Sequence, residues 1–298
     1  MTPISLAPIG DITPPGSRSR RAWRLLRAGM ALLLLAYVAL LTYLWVTQDK
    51  RVFFPQPLAA AQADQVLQQL PGARSVWLTA PDGTRLHAWW RPAGAQTSAK
   101  GTLLYFGGNA EAVHWRLALL AHHGGWDLLL TDYRGYGLSA GQPGQAAMAA
   151  DALAWFDALH TGQLAVPRPT AIAVMGTSLG SFFATAVAAE RPVAAAILVT
   201  PFDSVRDYIQ SRMPLVPVGL LLRHPLSSIT LAPRVTAPTL MLAAADDITI
   251  PPQRARLLFE AWGSQRREWV LLPHTNHITV LQDTGHWQQV HQFLDRIP

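Results

Sequence analysis

The sequence predicts an α/β domain built on a mostly parallel, eight-stranded sheet, preceded by one N-terminal transmembrane helix. Eight apolar runs alternate with helix-like stretches from about residue 74 onward, and the later runs are almost continuous in Leu, Val and Ile. This pattern is typical of a sheet that helices cover on both faces. The chain of 298 residues, 50% of them hydrophobic, is long enough to bury such a core.

The predicted elements alternate regularly along the chain. The first two strands form a hairpin around the turn at 81–83, where Pro, Asp and Gly are adjacent. The predicted strands are 74–80, 84–90, 102–106, 126–131, 170–175, 194–199, 238–243 and 267–272, and the predicted helices are 110–123, 145–160, 179–190, 252–262 and 284–295. We therefore expect one domain over residues 74–298.

The N-terminal part has the pattern of a membrane anchor. Residues 28–46 carry no charge, and a helix of this length, at about 1.5 Å per residue, spans the hydrocarbon core of a bilayer. Five arginines precede it, so the positive-inside rule predicts a cytoplasmic N-terminus. We expect a disordered basic tail at 1–27, a signal anchor at 28–46 in the plasma (inner) membrane, and a linker at 47–73. The remaining domain is expected on the extracytoplasmic face.

Two other interpretations of this N-terminus stay open. A cleaved signal peptide would have a shorter apolar core followed at once by a small-residue cleavage site, whereas charged residues follow here. The pair Arg20 and Arg21 also resembles a twin-arginine export signal, although the apolar segment is long for one. The anchor is the interpretation that these features favour.

Charge and composition narrow the classes of partner. Of the net charge of +6, residues 1–51 contribute most, with seven basic and two acidic side chains, which favours a membrane surface over nucleic acid. The chain has no cysteine, no His-Glu-x-x-His pattern and no phosphate-binding Gly-Lys-Ser/Thr loop. We expect no metal and no cofactor, and histidines such as His87 and His114 are interpreted as surface or packing residues. The oligomeric state is not predicted.

A Gly-x-Ser-x-Gly motif at 176–180 predicts a nucleophilic serine. The motif follows an apolar strand directly and opens a helix, which is the setting of a nucleophile elbow. In so sharp a turn, side chains two positions from Ser178 would meet backbone, so Gly176 and Gly180 have a steric reason. The motif alone is common, and its context gives it weight.

An activated serine needs a base and an acid that orients the base. One predicted strand leads into Asp246 and Asp247, and the next leads into His274 and His277. The order Ser, Asp, His along the chain is the order found in triads whose serine lies on a nucleophile elbow. Spacing alone leaves both members of each pair open.

These motifs resemble the α/β-hydrolase family over roughly residues 74–298, and most closely its membrane-tethered, short-cap branch, often labelled serine-aminopeptidase-like or hydrolase-4-like. The resemblance implies Asp247, four residues before a proline, as the acid, and His277, four residues after one, as the base. It implies backbone N–H groups of Asn109 and Leu179 as the oxyanion hole, a short cap at about 203–236, and a supporting role for Asp132 and Arg134.

One position departs from the family pattern. Gly107 stands in the oxyanion loop where the family usually has a histidine that braces the loop. The resemblance otherwise implies a serine hydrolase that cleaves a carboxylic ester or thioester, with a small or lipid-like acyl substrate. A peptidase or aminopeptidase of the same fold, and a non-catalytic membrane-anchored binding protein, remain alternatives.

Overall fold

The computed structural model describes residues 17–94, 99–119, 125–282 and 284–297. The chain divides into two compact units, Met1–Thr47 and Gln48–Pro298. The described residues of the first unit form one helix, and the second unit contains the sheet and the candidate site residues.

The helix of the first unit is α1 (Ser17–Thr47). Its part Arg20–Thr47 is long and apolar enough to cross a membrane, with a mean hydropathy of 2.1, although a signal sequence has the same properties. The expectation of disorder over 1–27 is wrong for 17–27, which is helical, because Arg, Ala and Leu there are good helix formers. Residues 1–16 lie outside the described residues.

The second unit is built on one eight-stranded sheet. The strands are β1 (Arg74–Thr79), β2 (Arg85–Arg91), β3 (Gly101–Phe106), β4 (Trp126–Thr131), β5 (Ile172–Thr177), β6 (Ala195–Val199), β7 (Thr239–Ala244) and β8 (Arg267–Leu272). Their order in the sheet is β1-β2-β4-β3-β5-β6-β7-β8. Strand β2 is antiparallel to both its neighbours, and all other pairs are parallel. The predicted fold class is confirmed.

Helices and short turns connect the strands. The helices of this unit are α2 (Asp49–Val52), α3 (Ala60–Gln69), α4 (Arg116–Leu119), α5 (Gln145–Thr161), α6 (Leu179–Glu190), α7 (Val205–Arg212), α8 (Val218–Leu221), α9 (Pro252–Glu260) and α10 (Thr284–Asp295). The helix predicted at 110–123 is instead a 3-10 turn, Val113–Trp115, followed by α4. Residues 120–124 lie outside the described residues.

Both faces of the sheet are buried, as the near-continuous apolar strands predict. Leu104 and Phe106 of β3 face one hydrophobic cluster, which α5, α6 and α9 also line, and Leu103 and Tyr105 face a second cluster, lined by α3, α4 and α10. Alternate side chains of a strand point to opposite faces, so one strand contributes to both clusters. The two layers of helices fix the strand ends, where the candidate site residues lie.

The segment 47–73 is more than the predicted linker. Its Phe53 is 2% exposed within one core cluster, and Ala63 of α3 is 3% exposed within the other. The backbone of Leu58 also pairs with Gly137. From Gln48 onward the segment therefore packs as part of the sheet-containing unit, because its apolar side chains cover apolar surface that water would otherwise reach.

The short excursion between β6 and β7 contains α7, α8 and two 3-10 turns, Ser228–Thr230 and Ala232–Arg234. Ser204 caps α7, its side-chain oxygen accepting a hydrogen bond from the N–H of Asp207. Met213, Leu215 and Leu220 are exposed here, the last two by 85% and 89%. This excursion, called the cap below, thus presents large apolar side chains to solvent.

Candidate active site

Ser178 occupies the sharp turn that joins β5 to α6. Its backbone has φ 50° and ψ −114°, a conformation that L-residues rarely adopt. A Cβ on Gly176 would overlap the carbonyl group of Gly180, and a Cβ on Gly180 would overlap the carbonyl of Phe106. The surroundings therefore hold Ser178 in a strained geometry that only glycine at both flanking positions permits.

Three predicted residues meet at the carboxyl ends of β5, β7 and β8. His277 Nε2 lies 2.9 Å from Ser178 Oγ, and His277 Nδ1 lies 2.6 Å from Asp247 Oδ2. The Asp247 side chain is 1% exposed and that of His277 is 20% exposed. A carboxylate at Nδ1 keeps the proton on that nitrogen, so Nε2 is free to accept the proton of the serine hydroxyl.

The structure separates the members of each sequence pair. Asp247 is buried and turned toward His277, whereas the neighbouring Asp246 is exposed and its backbone N–H bonds to the carbonyl of Thr275. His274 is exposed and adopts φ 55° in the turn after β8. Only the second member of each pair lies within hydrogen-bond distance of the Ser178 arrangement.

Asp247 is held by its own loop as well as by the imidazole. Its Oδ1 accepts hydrogen bonds from the backbone N–H groups of Thr249 (2.9 Å) and Ile250 (2.8 Å). Oδ2 remains for His277. One carboxylate oxygen thus holds the loop and the other orients the imidazole, as is typical of the acid in such an arrangement.

The loop after β3 passes directly beside Ser178. A Cβ built on Gly108 would lie 3.9 Å from the Cβ of Ser178 and 3.8 Å from the carbonyl oxygen of Thr177. Asn109 follows in this loop, called the oxyanion loop below. Leu179 is the first residue of α6, so its backbone N–H is one of the four at a helix N-terminus without a carbonyl one turn earlier. Both predicted donors therefore belong to the segments that border the serine.

Comparison with known families identifies the protein family of this chain. A model of the serine hydrolase family matches residues 142–296, just over half of the chain. The protein Rv2307c of Mycobacterium tuberculosis is 32% identical over 249 residues, 83% of this chain and 86% of that protein. The chain belongs to the serine hydrolase family of α/β hydrolases. The α/β-hydrolase domain-containing protein WAV2 of Arabidopsis thaliana is 26% identical over 90% of this hydrolase and 93% of that protein.

Solved structures support the fold of the hydrolase. An esterase of Pyrococcus furiosus, Pf2001, superposes with a TM-score of 0.65 over 83% of this chain and 99% of its own. The two chains are 16% identical, a level at which the likeness shows the fold alone. The predicted resemblance to the α/β hydrolases is thus confirmed by family and by architecture.

The hydrolase braces its oxyanion loop without the histidine usual in the family. Tyr133 Oη donates a hydrogen bond of 2.7 Å to the carbonyl of Gly107, and the backbone N–H of Gly108 donates to the carboxylate of Glu111. A Cβ at position 107 would collide with Val113, so the site has no room for a larger residue without rearrangement. These two contacts supply the support that the sequence lacks at Gly107.

Glu111 connects that loop to the core. The hydroxyl of Tyr105 lies 3.0 Å from one oxygen of this carboxylate and 3.1 Å from Thr177 Oγ1, and Arg116 forms an ion pair with the carboxylate. Burial, and secondarily the negative charge of Glu111, raise the pKa of Tyr105 well above its ordinary value. The phenol therefore keeps its proton and donates it. Glu111 was not among the predicted residues, because nothing in its sequence context distinguishes it from a surface carboxylate.

The loop after β4 forms a second polar network away from the serine. His87, interpreted from the sequence as a surface or packing residue, is fully buried, with Nδ1 2.7 Å from Asp132 Oδ2 and Nε2 3.0 Å from Ser75 Oγ. Arg134 binds Asp151 through two nitrogens. Through these contacts Asp132 and Arg134 hold the loop after β4, and a supporting role for them at the site stays a prediction.

This network repeats the three residue types of the arrangement at Ser178, His277 and Asp247. Ser75, His87 and Asp132 have hydrogen-bond lengths within 0.1 Å of those at Ser178, 3.0 and 2.7 Å against 2.9 and 2.6 Å. Ser75, however, lies within strand β1 rather than in a strained turn. Experiments that assign a reactive serine must therefore distinguish these two positions.

Within the residues that the structure describes, no group of three or more His, Cys, Asp or Glu side chains is placed to hold a metal ion. The site as built offers a hydroxyl, an imidazole, a carboxylate and backbone N–H groups. These are the groups that acyl transfer requires.

Proposed function

We propose that this serine hydrolase cleaves a carboxylic ester through an acyl-enzyme, with Ser178 as nucleophile, His277 as base and Asp247 as the orienting acid. The observation that carries the proposal is the continuous hydrogen-bonded chain from Ser178 Oγ through both imidazole nitrogens to Asp247. The esterase fold of Pf2001 supports the choice of an ester. A thioester uses the same machinery and belongs to the same proposal.

In the first step, Ser178 Oγ attacks the carbonyl carbon while its proton moves to His277 Nε2. The negative charge that develops on the carbonyl oxygen is stabilised by the backbone N–H groups of Asn109 and Leu179. Collapse of the tetrahedral intermediate breaks the bond to the alcohol, which takes the proton from the imidazolium. Asp247 stays ionised throughout and stabilises the cation beside it.

In the second step, a water molecule replaces the alcohol. His277 Nε2 takes a proton from the water as it attacks the acyl-enzyme, and the same two N–H groups stabilise the second oxyanion. Release of the carboxylate returns the proton to Ser178. The 20% exposure of His277 is consistent with access of water and substrate to Nε2.

The exposed apolar side chains of the cap favour a substrate with an apolar or lipid-like acyl group. Met213, Leu215 and Leu220 are exposed on it, and Ile248 and Ile278, which directly follow Asp247 and His277 in the chain, are 88% and 68% exposed. Large apolar side chains in solvent cost free energy unless something covers them. A long acyl chain is a ligand of matching chemistry.

We further propose that α1 anchors the hydrolase in the plasma (inner) membrane, with the N-terminus cytoplasmic and the catalytic unit on the extracytoplasmic face. The segment 28–46 is uncharged, and five arginines precede it. Two fusions test the topology, one with alkaline phosphatase and one with green fluorescent protein, each at the C-terminus. Active phosphatase with a dark fluorescent protein is expected, and the opposite pattern would contradict the orientation.

Activity-based labelling tests the chemistry. The full chain in detergent is treated with a fluorophosphonate probe, and the labelled peptide is mapped by mass spectrometry. We expect label on Ser178, its loss in Ser178→Ala, and retention in Ser75→Ala. Label on Ser75, or none at all, would contradict the assignment.

Competition then identifies the substrate class. The same labelling is repeated in the presence of esters of acyl length from two to sixteen carbons, matched thioesters, and aminoacyl and prolyl peptides. We expect esters of the longer acids to protect Ser178 best. Protection by peptides alone would favour a peptidase, and a preference for acetyl esters would count against a lipid-like substrate.

A further inference from the structure

The segment 48–58, called the strap below, links the cap to the oxyanion loop. It begins with Gln48, the residue that directly follows α1 in the chain, and its sequence includes the run Phe-Phe-Pro-Gln-Pro at 53–57. None of the proposed catalytic steps uses it. Its contacts nevertheless reach the cap and the oxyanion loop, and the loop borders Ser178.

The first contact of the strap is with the cap. The side chain of Gln48 donates to the carbonyl of Leu221 (3.1 Å) and accepts from the N–H of Arg223 (2.6 Å). Gln48 is 6% exposed, which is low for a glutamine. Asp49 adds contacts of 3.0 Å to His224 and 3.1 Å to Arg223. The strap is therefore fixed to the cap by buried and charged groups.

The second contact is with the side chain of Asn109. Its Nδ2 donates to the carbonyl of Val52 (2.7 Å), and its Oδ1 accepts from the N–H of Phe54 (2.9 Å). A carbonyl partner and an N–H partner fix the orientation of the amide, since only one of its two ends suits each. The hydroxyl of Tyr136 donates to the same Oδ1 (2.8 Å). Phe53, between the two strap contacts, is buried in the core.

The oxyanion loop needs such an external hold. Gly107 and Gly108 precede Asn109, and glycine is the residue with the most backbone freedom. Ala110 follows at φ 57°, a conformation that persists in a non-glycine residue only when its surroundings impose it. Asn109 thus lies between flexible and strained backbone, and its side chain is tied on both ends to the strap.

We propose that the strap positions the oxyanion hole: the side-chain amide of Asn109, held by Val52 and Phe54 and supported by Tyr136, sets the direction of the backbone N–H of Asn109. The side chain is a positioning group, since the backbone N–H is the one that meets the substrate oxygen. This inference rests on the proposed function, because it concerns the oxyanion hole of that reaction. The strap, which directly follows the apolar helix α1 in the chain, thereby contributes to turnover.

The test uses steady-state hydrolysis of a p-nitrophenyl ester by the full chain in detergent. Asn109→Ala keeps the backbone N–H and removes the three side-chain hydrogen bonds. We expect kcat to fall roughly 10- to 100-fold, a smaller loss than removal of an oxyanion-hole donor causes. KM is expected to change less than about threefold. Tyr136→Phe, which removes one oxygen, is expected to lower kcat by a factor of about three to ten.

A double variant separates positioning from general support. If Tyr136 acts through Asn109, Tyr136→Phe has no further effect on kcat in the Asn109→Ala background, whereas independent structural effects multiply. Asn109→Asp keeps the acceptor for Phe54 and Tyr136 but loses the donor to the Val52 carbonyl and adds a negative charge, so kcat is expected to stay below that of the wild type. Tyr37→Phe, the same change on α1, serves as the matched control and should leave kcat unchanged.

The outcomes distinguish failure of this inference from failure of the proposed ester hydrolysis. Hydrolysis by the wild type and its loss in Ser178→Ala test the proposed reaction. With that result in hand, wild-type kcat in Asn109→Ala, or effects of the two substitutions that multiply, would overturn the role of the strap. If Asn109→Ala does not fold, an unchanged kcat in Tyr136→Phe overturns it equally.

Discussion

The carboxylate of Glu111 accepts a hydrogen bond from the backbone N–H of Gly108, one residue before the proposed oxyanion donor. The same carboxylate accepts from the hydroxyl of Tyr105 and pairs with Arg116. Its side chain is 11% exposed. One acidic side chain thus connects the oxyanion loop, strand β3 and helix α4.

Glu111→Ala is expected to reduce both stability and turnover. Removal of the carboxylate leaves the N–H of Gly108 and the guanidinium of Arg116 without this partner, at about 1–3 kcal/mol for each poorly solvated group. Urea unfolding and kcat of ester hydrolysis measure the two effects. Glu111→Gln keeps an acceptor of the same size and should lose less of both. Wild-type kcat in Glu111→Ala would show that the loop needs no support from this residue.

The choice within the Asp and His pairs gives a second prediction. Asp247→Asn and His277→Gln are expected to lower kcat on the order of 10⁴-fold, because the first disturbs the tautomer of the base and the second removes the base. Asp246→Asn and His274→Gln are matched controls at exposed positions and should change kcat less than about threefold. Steady-state kinetics of the four variants decides the assignment. A large loss in either control would reverse it.

Glycine at position 180 gives a third prediction. In Gly180→Ala the new methyl group would meet the carbonyl groups of Phe106 and Gly107, which belong to β3 and the oxyanion loop. We expect loss of most probe labelling at Ser178, because backbone must move to admit the methyl. Gly219→Ala in α8 is the control: its nearest contact would be 3.9 Å away, at Arg206 Cδ. That variant should be labelled like the wild type.

A surface ion pair predicts a defined pH dependence of stability. Arg191 binds Asp157 through Nε (2.6 Å) and Nη2 (2.8 Å), and this hydrogen bonding lowers the pKa of the Asp157 carboxyl below its ordinary value. A lowered folded pKa means that the pair stabilises the fold above the unfolded pKa, near 3.9, and that this contribution is lost as the pH falls through the folded pKa.

Arg191→Met measures that contribution. The side chain of Asp157 is 48% exposed, so screening limits the expected difference in free energy of unfolding to about 0.5–1 kcal/mol at pH 7. Urea unfolding at several pH values should show the difference between wild type and variant shrinking below about pH 4. Added salt should also reduce it. A difference that grows on acidification would contradict the assigned direction.

Local patterns in the sequence predict most of the architecture. Each apolar run gives a strand because a strand covered on both faces must be apolar throughout, as in β3 and β5. The elbow at Ser178 is also visible locally, since the strand, the two glycines and the helix are neighbours in the chain. Within 110–119, the predicted helix is instead a 3-10 turn and the short helix α4, because the contact of Glu111 with the loop beside Ser178 competes with a regular helix there.

The sequence by itself determined the fold class and the family and predicted Ser178 as the nucleophile, because these depend on residues close together in the chain. Spacing left both members of the Asp246/Asp247 and His274/His277 pairs open, and only the tertiary structure shows that Asp247 and His277 are the members whose side chains turn toward Ser178. The bond between Asn109 and Val52 joins residues 57 positions apart. Such contacts form only when the sheet brings loops together, and no spacing in the sequence encodes them.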